Sequence, residues 1–210
     1  MKKKVFDLTA MMQIAILICI QFVMKAIGLG SVPVGPLYMS FLTLPIAVGA
    51  MIIGPEAGAI LGGVFGLVSF KDALTGGSVM TSTLFAVSPI HTFILCVVTR
   101  VLMGYLAGVV FKALAKLDRR GNWSYFAGAI AAPVLNTVLF MGYLVLAFYN
   151  TEYVQGHVAR LGAKNPLMFI ALFVGIQALV EAGICGALGG VIVKAVSMFL
   201  GTKKQAVGAR

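Results

Sequence analysis

Residues 54–77, "GPEAGAILGGVFGLVSFKDALTGG", decide how the rest of the sequence is interpreted. Four glycines lie between Gly58 and Gly66, and the segment ends in Lys71, Asp72 and a glycine pair. Its apolar part of about fifteen residues is shorter than the ~20 that span a membrane, yet it is too apolar for a soluble loop. Small residues let neighbouring helices approach closely. The segment therefore predicts a short, tightly packed helix that carries "KDALTGG" to the rim of an outward-facing pocket. Tight packing without a pocket is the alternative.

The composition is that of an integral membrane protein. Of the 210 residues, 60% are hydrophobic and only 10% are charged, whereas soluble domains carry about 25% charged residues. The length fits one bundle, so we expect a single domain over residues 1–210. The cysteines Cys19, Cys96 and Cys185 all lie in apolar stretches. They give neither a disulfide framework nor the spacing of a metal site.

The apolar runs predict an all-helical bundle, because lipid leaves backbone polar groups no other partners. We count six transmembrane helices. Helices 2 and 3 have about fifteen residues each, so we expect both to be too short for a full span. The predicted limits are 8–27, 39–53, 56–70, 90–115, 122–148 and 167–199.

Basic residues predict the orientation of this bundle. They cluster before helix 1, between helices 4 and 5, and after helix 6, which places both termini in the cytoplasm by the positive-inside rule. The outer connections 28–38 (loop 1), 71–89 (loop 3) and 149–166 are long, and long connections in a compact bundle are often lids or binding segments. The basic clusters are Lys2, Lys3, Lys4, Lys112, Lys116, Arg119, Arg120, Lys203, Lys204 and Arg210.

Polar residues near the middle of three helices predict a binding site. Ionisable residues within spans are costly and point to function, and convergent polar groups among apolar walls are typical of small-molecule sites. Gln177 and Glu181 share one face of helix 6 because they are four residues apart. With residues from the outer connections, the candidate binding residues are Asn136, Arg100, Gln177, Glu181, Lys71, Asp72 and Tyr38.

Purely structural roles are the alternative for three of these residues. Arg100 and Glu181 can pair with each other and only hold helices 4 and 6 together. Asn136 can act as a polar contact between helices.

The sequence lacks the motifs of the common enzyme classes. It contains no G-x-x-x-x-G-K-[ST] phosphate loop, no H-E-x-x-H and no G-x-S-x-G,. Basic residues interleaved with aromatics, which would indicate nucleic-acid binding, are also missing. We therefore expect a binding protein that is not an enzyme and holds no cofactor or metal of its own.

Two small residues on helix 1 predict a docking surface for another helix. Ala15 and Cys19 are four residues apart and form a small face that lets another helix approach closely. Packing within the bundle is the alternative. As a polar residue within a span, Lys25 near the end of this helix is a weaker candidate for the binding site, because its side chain can snorkel to the outer interface.

Four stretches together resemble a known family, the substrate-specific (S) components of energy-coupling factor (ECF) vitamin transporters. They are "PVGPLYMSFLTLPIAVGAMIIGPEAGAILGGVFGLVSF", "TRVLMGYLAGVVFKAL", "NTVLF" and "LVEAGI". The resemblance covers nearly the whole chain. It implies a subunit of the bacterial cell membrane that binds a micronutrient in an outward-facing pocket roofed by loops 1 and 3.

The resemblance also implies partners and an energy source. S components dock on a transmembrane coupling protein driven by two cytoplasmic ATPases, so ATP is used only by partner subunits. Family members usually present an A-x-x-x-A face on helix 1. This sequence departs from that pattern, since Ala15 has Cys19 as its small partner.

The substrate is less closely defined. "GPLYMSFLTLPIAVGAMIIGP" and "TRVLMG" look most like the branch that includes pantothenate S components. A carboxylate substrate suits Arg100, because a guanidinium binds carboxylate through two parallel hydrogen bonds. Riboflavin is the second candidate, and folate and pyrimidines stay open. A membrane scaffold or assembly protein without a transported ligand is the alternative of another class.

Overall fold

The computed structural model describes residues 7–30, 32–34, 37–118 and 123–199. These residues are overwhelmingly helical, which confirms the predicted helical class, and one short antiparallel hairpin interrupts them. The hairpin consists of β1 (Val32–Val34) and β2 (Leu37–Met39). The helices are α1 (Leu8–Ala26), α2 (Thr43–Ile52), α3 (Pro55–Thr75), α4 (Val79–Val87), α5 (Pro89–Phe93), α6 (Thr99–Leu117), α7 (Trp123–Phe148), α8 (Glu152–Leu161) and α9 (Pro166–Phe199). A π-helical segment, Ile94–Val98, joins α5 to α6.

Five helical stretches in the described residues are long and apolar enough to cross a membrane. They are Leu8–Ala26, Pro55–Thr75, Pro89–Leu117, Trp123–Phe148 and Gln177–Met198. A sixth span is reached only if α8 and the start of α9, which are bent by 76°, count as one. The predicted count of six transmembrane helices therefore stays a prediction.

The predicted limits of helices 2 and 3 need correction. Helix 2 was expected from residue 39, but Leu37–Met39 pair with β1, so α2 begins at Thr43 and has only 10 residues. Helix 3 was expected to be short and to end at residue 70. Instead α3 has 21 residues. The glycine pair ends it: Gly76 adopts the left-handed conformation (φ 78°), and the Gly77 N–H donates to the Asp72 carbonyl at 2.8 Å,.

The outer connections contain helices that the sequence analysis did not predict. Within 71–89 lies α4, and within 149–166 lies the amphipathic α8, which buries Val154 and Val158. The N–H of Val154 donates to the Thr151 hydroxyl at the start of α8, and a left-handed Gly162 follows its end. These are ordinary capping signals.

Glycines let α3 lie directly against the α5–α6 stretch. A Cβ at Gly58, Gly62 or Gly66 would meet the backbone carbonyl of Gly104, Arg100 or Cys96 respectively. The three glycines are spaced four residues apart, so they form one face of α3. This contact places the start of α6, with Arg100, beside the middle of α3.

The core has two apolar clusters. One joins α1, α2, α3, α6, α7 and α9, and the other joins α4, α7, α8 and α9 with Leu95 of the π-helical segment. Side chains from both clusters line a cavity, among them Leu42 and Phe65 of the first and Met80 and Val174 of the second.

The orientation of the chain stays a prediction. Of the basic residues that predict it, Lys112 and Lys116 belong to α6. The others, Lys2, Lys3, Lys4, Arg119, Arg120, Lys203, Lys204 and Arg210, lie outside the described residues.

Candidate substrate-binding site

The cavity has a volume of about 120 Å³ and is lined by side chains from α1, α3, α4, α6, α7 and α9 and from the segment before α2. The structure brings five of the seven candidate binding residues to its wall: Asp72, Arg100, Asn136, Gln177 and Glu181. Their positions on α3, α6, α7 and α9 show that residues far apart in sequence meet at one place.

The other two candidates are placed differently. Lys71 is exposed and does not line the cavity. Consecutive residues on a helix point about 100° apart, so only one of Lys71 and Asp72 can face inward. Tyr38 belongs to β2, and its side chain lies outside the described residues.

Arg100 is held in a defined position. Its Nη1 donates to the carbonyl oxygens of Cys96 at 3.0 Å and Leu95 at 3.4 Å. Its guanidinium carbon lies 4.4 Å from the ring centre of Phe65 and 4.8 Å from that of Phe140. Such cation–π contacts stabilise a desolvated cation. Its Nε is buried and has no hydrogen-bond partner among the described residues, so one guanidinium N–H is left for a further acceptor.

The π-helical segment explains how Arg100 reaches these carbonyls. A π-turn shifts the backbone pairing from i→i+4 to i→i+5 and is frequent at functional sites. The Thr99 hydroxyl and the Arg100 guanidinium both donate to the carbonyl of Leu95. No proline or glycine occurs in Ile94–Val98, so no residue type in this segment indicates the irregularity.

Glu181 has separate partners. It is buried, and its Oε1 accepts a hydrogen bond from the Thr43 hydroxyl at 3.1 Å. No ion pair within 4.0 Å joins it to Arg100; the ion pair found among the described residues is between Lys25 and Asp72. The direct Arg100–Glu181 pairing that was left open as an alternative is thus not present in the structure.

Asn136 does not join two helices by a hydrogen bond in the described part of the chain. Its Oδ1 is buried without a hydrogen-bond partner there, as is the hydroxyl of Ser40. Both residues line the cavity.

Sequence reasoning missed Lys25. It lines the cavity, and its Nζ lies 2.5 Å from Asp72 Oδ2, which ties the end of α1 to the end of α3. The two residues are 47 positions apart in the sequence, so no local sequence pattern indicates that they pair.

The small face of helix 1 is on the surface. Ala15 and Cys19 are both exposed. The opposite side of α1 is attached to the bundle by buried Ile14 and Gln21, and Gln21 Nε2 donates to the Leu61 carbonyl at 3.2 Å. The Ala15–Cys19 face is therefore not packed against the other helices that the structure describes.

Comparison with known proteins shows the family. Residues 9–201 match the family described as ECF transporter, substrate-specific component. The chain belongs to this family. The resemblance seen in the sequence is confirmed. As an S component, the chain is a multi-pass membrane protein and a substrate-binding subunit of a transporter.

The chain is also similar to a curated transporter. This S component is 33% identical over 150 residues to the pantothenic acid transporter PanT of Lactococcus lactis subsp. cremoris (strain MG1363). The alignment covers 66% of this chain and 71% of the relative.

The Lys25–Asp72 pair gives a first prediction. Lys25→Met strands a partly buried carboxylate, which costs about 1–3 kcal/mol, so we expect a lower free energy of unfolding in detergent. Lys71→Met, at an exposed position one residue from Asp72, is the matched control and should have little effect. In the Lys25→Met, Asp72→Leu double variant the loss should be smaller than the sum of the single losses. Additive losses would show that the pair contributes nothing.

Proposed function

We propose that this S component binds pantothenate and delivers it to an ECF importer. The observation that carries the proposal is the buried Nε of Arg100, a residue that lines the cavity, which has no hydrogen-bond partner among the described residues. The similarity to a pantothenic acid transporter supports the same substrate.

The surroundings of Arg100 favour a carboxylate ligand. A cation buried in a membrane protein needs a compensating charge, and within the described residues no carboxylate lies within ion-pair distance of Arg100. The rings of Phe65 and Phe140 flank the guanidinium, and Nη1 is engaged by backbone carbonyls. The Nε–H has no partner among the described residues, and together with a second N–H of the guanidinium it can donate two parallel hydrogen bonds to a carboxylate that Arg100 turns toward.

The rest of the transport cycle follows the family. In this proposal the chain has six spans and cytoplasmic termini in the bacterial cell membrane. It docks through the Ala15–Cys19 face of α1 on a transmembrane coupling protein, and two cytoplasmic ATPases hydrolyse ATP. The exposure of Ala15 and Cys19 supports this docking face.

The division of labour between subunits gives a second prediction. In proteoliposomes, pantothenate should accumulate against its gradient only when the coupling protein, both ATPases and internal ATP are present. The purified chain alone should bind pantothenate without concentrating it. Accumulation by the isolated chain would contradict the proposal, and so would a failure of the purified chain to bind pantothenate while it binds riboflavin.

The docking face gives a third prediction. Ala15→Phe should reduce co-purification with the coupling protein, because a bulky side chain keeps two helices apart. Pantothenate binding by the free chain should be unchanged. Leu146→Phe, at an apolar α7 position that is 84% exposed, is the control for added bulk and should leave the complex intact. Equal loss of complex in both variants would remove the Ala15–Cys19 face from the proposal.

A further inference from the structure

The cavity contains a carboxylate with no ion-pair partner within 4.0 Å among the described residues, although Arg100 on the same wall still attracts it electrostatically. Glu181 is only 4% exposed, and among the described residues no lysine, arginine or histidine nitrogen lies within 4.0 Å of its oxygens. The hydroxyl of Thr43 donates a hydrogen bond to its Oε1. That hydroxyl also lies 3.3 Å from the Ser40 carbonyl, and one hydroxyl proton cannot serve both acceptors fully. A carboxylate accepts about four hydrogen bonds, so Glu181 keeps unused acceptor capacity.

Other acceptors lie along the same wall. Asn136 Oδ1 and the Ser40 hydroxyl oxygen are buried, and within the described residues neither has a partner. Both residues line the cavity together with Glu181. Buried acceptors without donors are costly, and this set is expected to be satisfied by whatever fills the cavity.

The arrangement keeps Glu181 apart from Arg100. Arg100 belongs to α6 and Glu181 to α9, and both of these helices pack along α7, which carries Asn136 and Phe140. Phe140 also covers one face of the guanidinium. The cavity thus offers a cationic donor edge on one helix and a group of acceptors on others.

We propose that Glu181, with Asn136, recognises hydroxyl groups of the substrate, while Arg100 holds its carboxylate. This inference rests on the proposed function and extends it from a carboxylate to a hydroxylated carboxylate. A carboxylate end is disfavoured beside Glu181, because like charges repel. The end of the ligand that meets Glu181 is therefore expected to bring hydrogen-bond donors. Pantothenate has this chemistry, with a carboxylate at one end and two hydroxyl groups at the other.

The test measures binding to the purified full-length chain by calorimetry. The ligands are pantothenate and its analogue with hydrogen in place of both hydroxyls. Glu181→Gln keeps the shape of the side chain and removes its charge. We expect it to weaken pantothenate binding by roughly 10- to 100-fold. The dideoxy analogue should bind wild type about as weakly as pantothenate binds the variant, and Glu181→Gln should weaken it little further.

Two results would overturn the assignment. One is equal weakening of both ligands by Glu181→Gln, which would mean that Glu181 acts on the fold or on Arg100. The other is tighter binding of an amino carboxylate of similar length than of pantothenate, which would assign an ammonium group to Glu181. If Glu181→Gln does not fold, the wild-type comparison decides alone, and equal affinity for pantothenate and the dideoxy analogue overturns the proposal.

Failure of the pantothenate assignment is a separate outcome. If wild type binds neither ligand, the proposed function is wrong, and mass spectrometry of the small molecule retained by the purified chain then tests Glu181. A retained molecule that carries hydroxyl groups supports the hydroxyl-recognition role, and one without them contradicts it.

Discussion

Replacing Arg100 by alanine is expected to weaken pantothenate binding by between about 30-fold and several thousand-fold. Truncating one partner of a buried, hydrogen-bonded charge pair costs about 2–5 kcal/mol, and each ~1.4 kcal/mol is one decade in Kd. The chain should still fold, because within the described residues no carboxylate lies within ion-pair distance of Arg100. Calorimetry of the purified variant measures the affinity, and thermal unfolding checks the fold.

Two further variants sharpen this result. Arg100→Lys retains the charge but not the planar fork, so it should recover only part of the affinity. Arg160→Ala removes an exposed arginine of α8 and should bind like wild type. If Arg100→Ala binds pantothenate normally, Arg100 has only a structural role.

The second large effect is expected at Gly62. A Cβ at this position would meet the backbone carbonyl of Arg100, whereas a Cβ at Gly63 would lie 3.4 Å from a flexible Val101 methyl group. A backbone carbonyl cannot rotate away from the added methyl group as a side chain can. Gly62→Ala must therefore separate α3 from α6, at a cost of at least the ~1–3 kcal/mol typical of overpacking. We expect a clear loss of stability and, in any folded fraction, weaker pantothenate binding because Arg100 moves with the backbone.

Gly63→Ala is the matched control for this prediction. It adds the same methyl group to the same helix, and alanine favours a helix by up to about 1 kcal/mol over glycine. It should leave stability unchanged or slightly raised. Similar losses in both variants would show that the spacing of the glycines is not what positions Arg100.

The sequence predicted those parts of the molecule that follow from local patterns. Apolar runs located the long helices because lipid-facing segments leave no alternative to helical backbone. Arg100, Asn136 and Glu181 stood out because polar groups are rare within such runs, and all three line the cavity. The four-residue spacing of Gln177 and Glu181 predicts that both lie on one face of α9, and both line the cavity.

The parts that could not be predicted depend on contacts between distant segments. Lys25 looked like an interfacial lysine until α1 and α3 were seen to meet. The predicted end of α3 is wrong because Lys71 and Asp72 in the sequence indicate the start of a loop, whereas a helix tolerates an exposed lysine and a paired aspartate near its end. The separate surroundings of Arg100 and Glu181 depend on the π-helical segment and on Thr43, which no sequence periodicity reports.

The most direct test of the central claim is the affinity of the wild-type chain for pantothenate compared with panthenol, in which an alcohol replaces the carboxylate. If Arg100 holds the carboxylate, panthenol should bind at least about 30-fold more weakly to wild type. The two ligands should bind with nearly equal affinity to Arg100→Ala. Equal affinity of wild type for both ligands would contradict the account, because the carboxylate would then make no contact that contributes to the affinity.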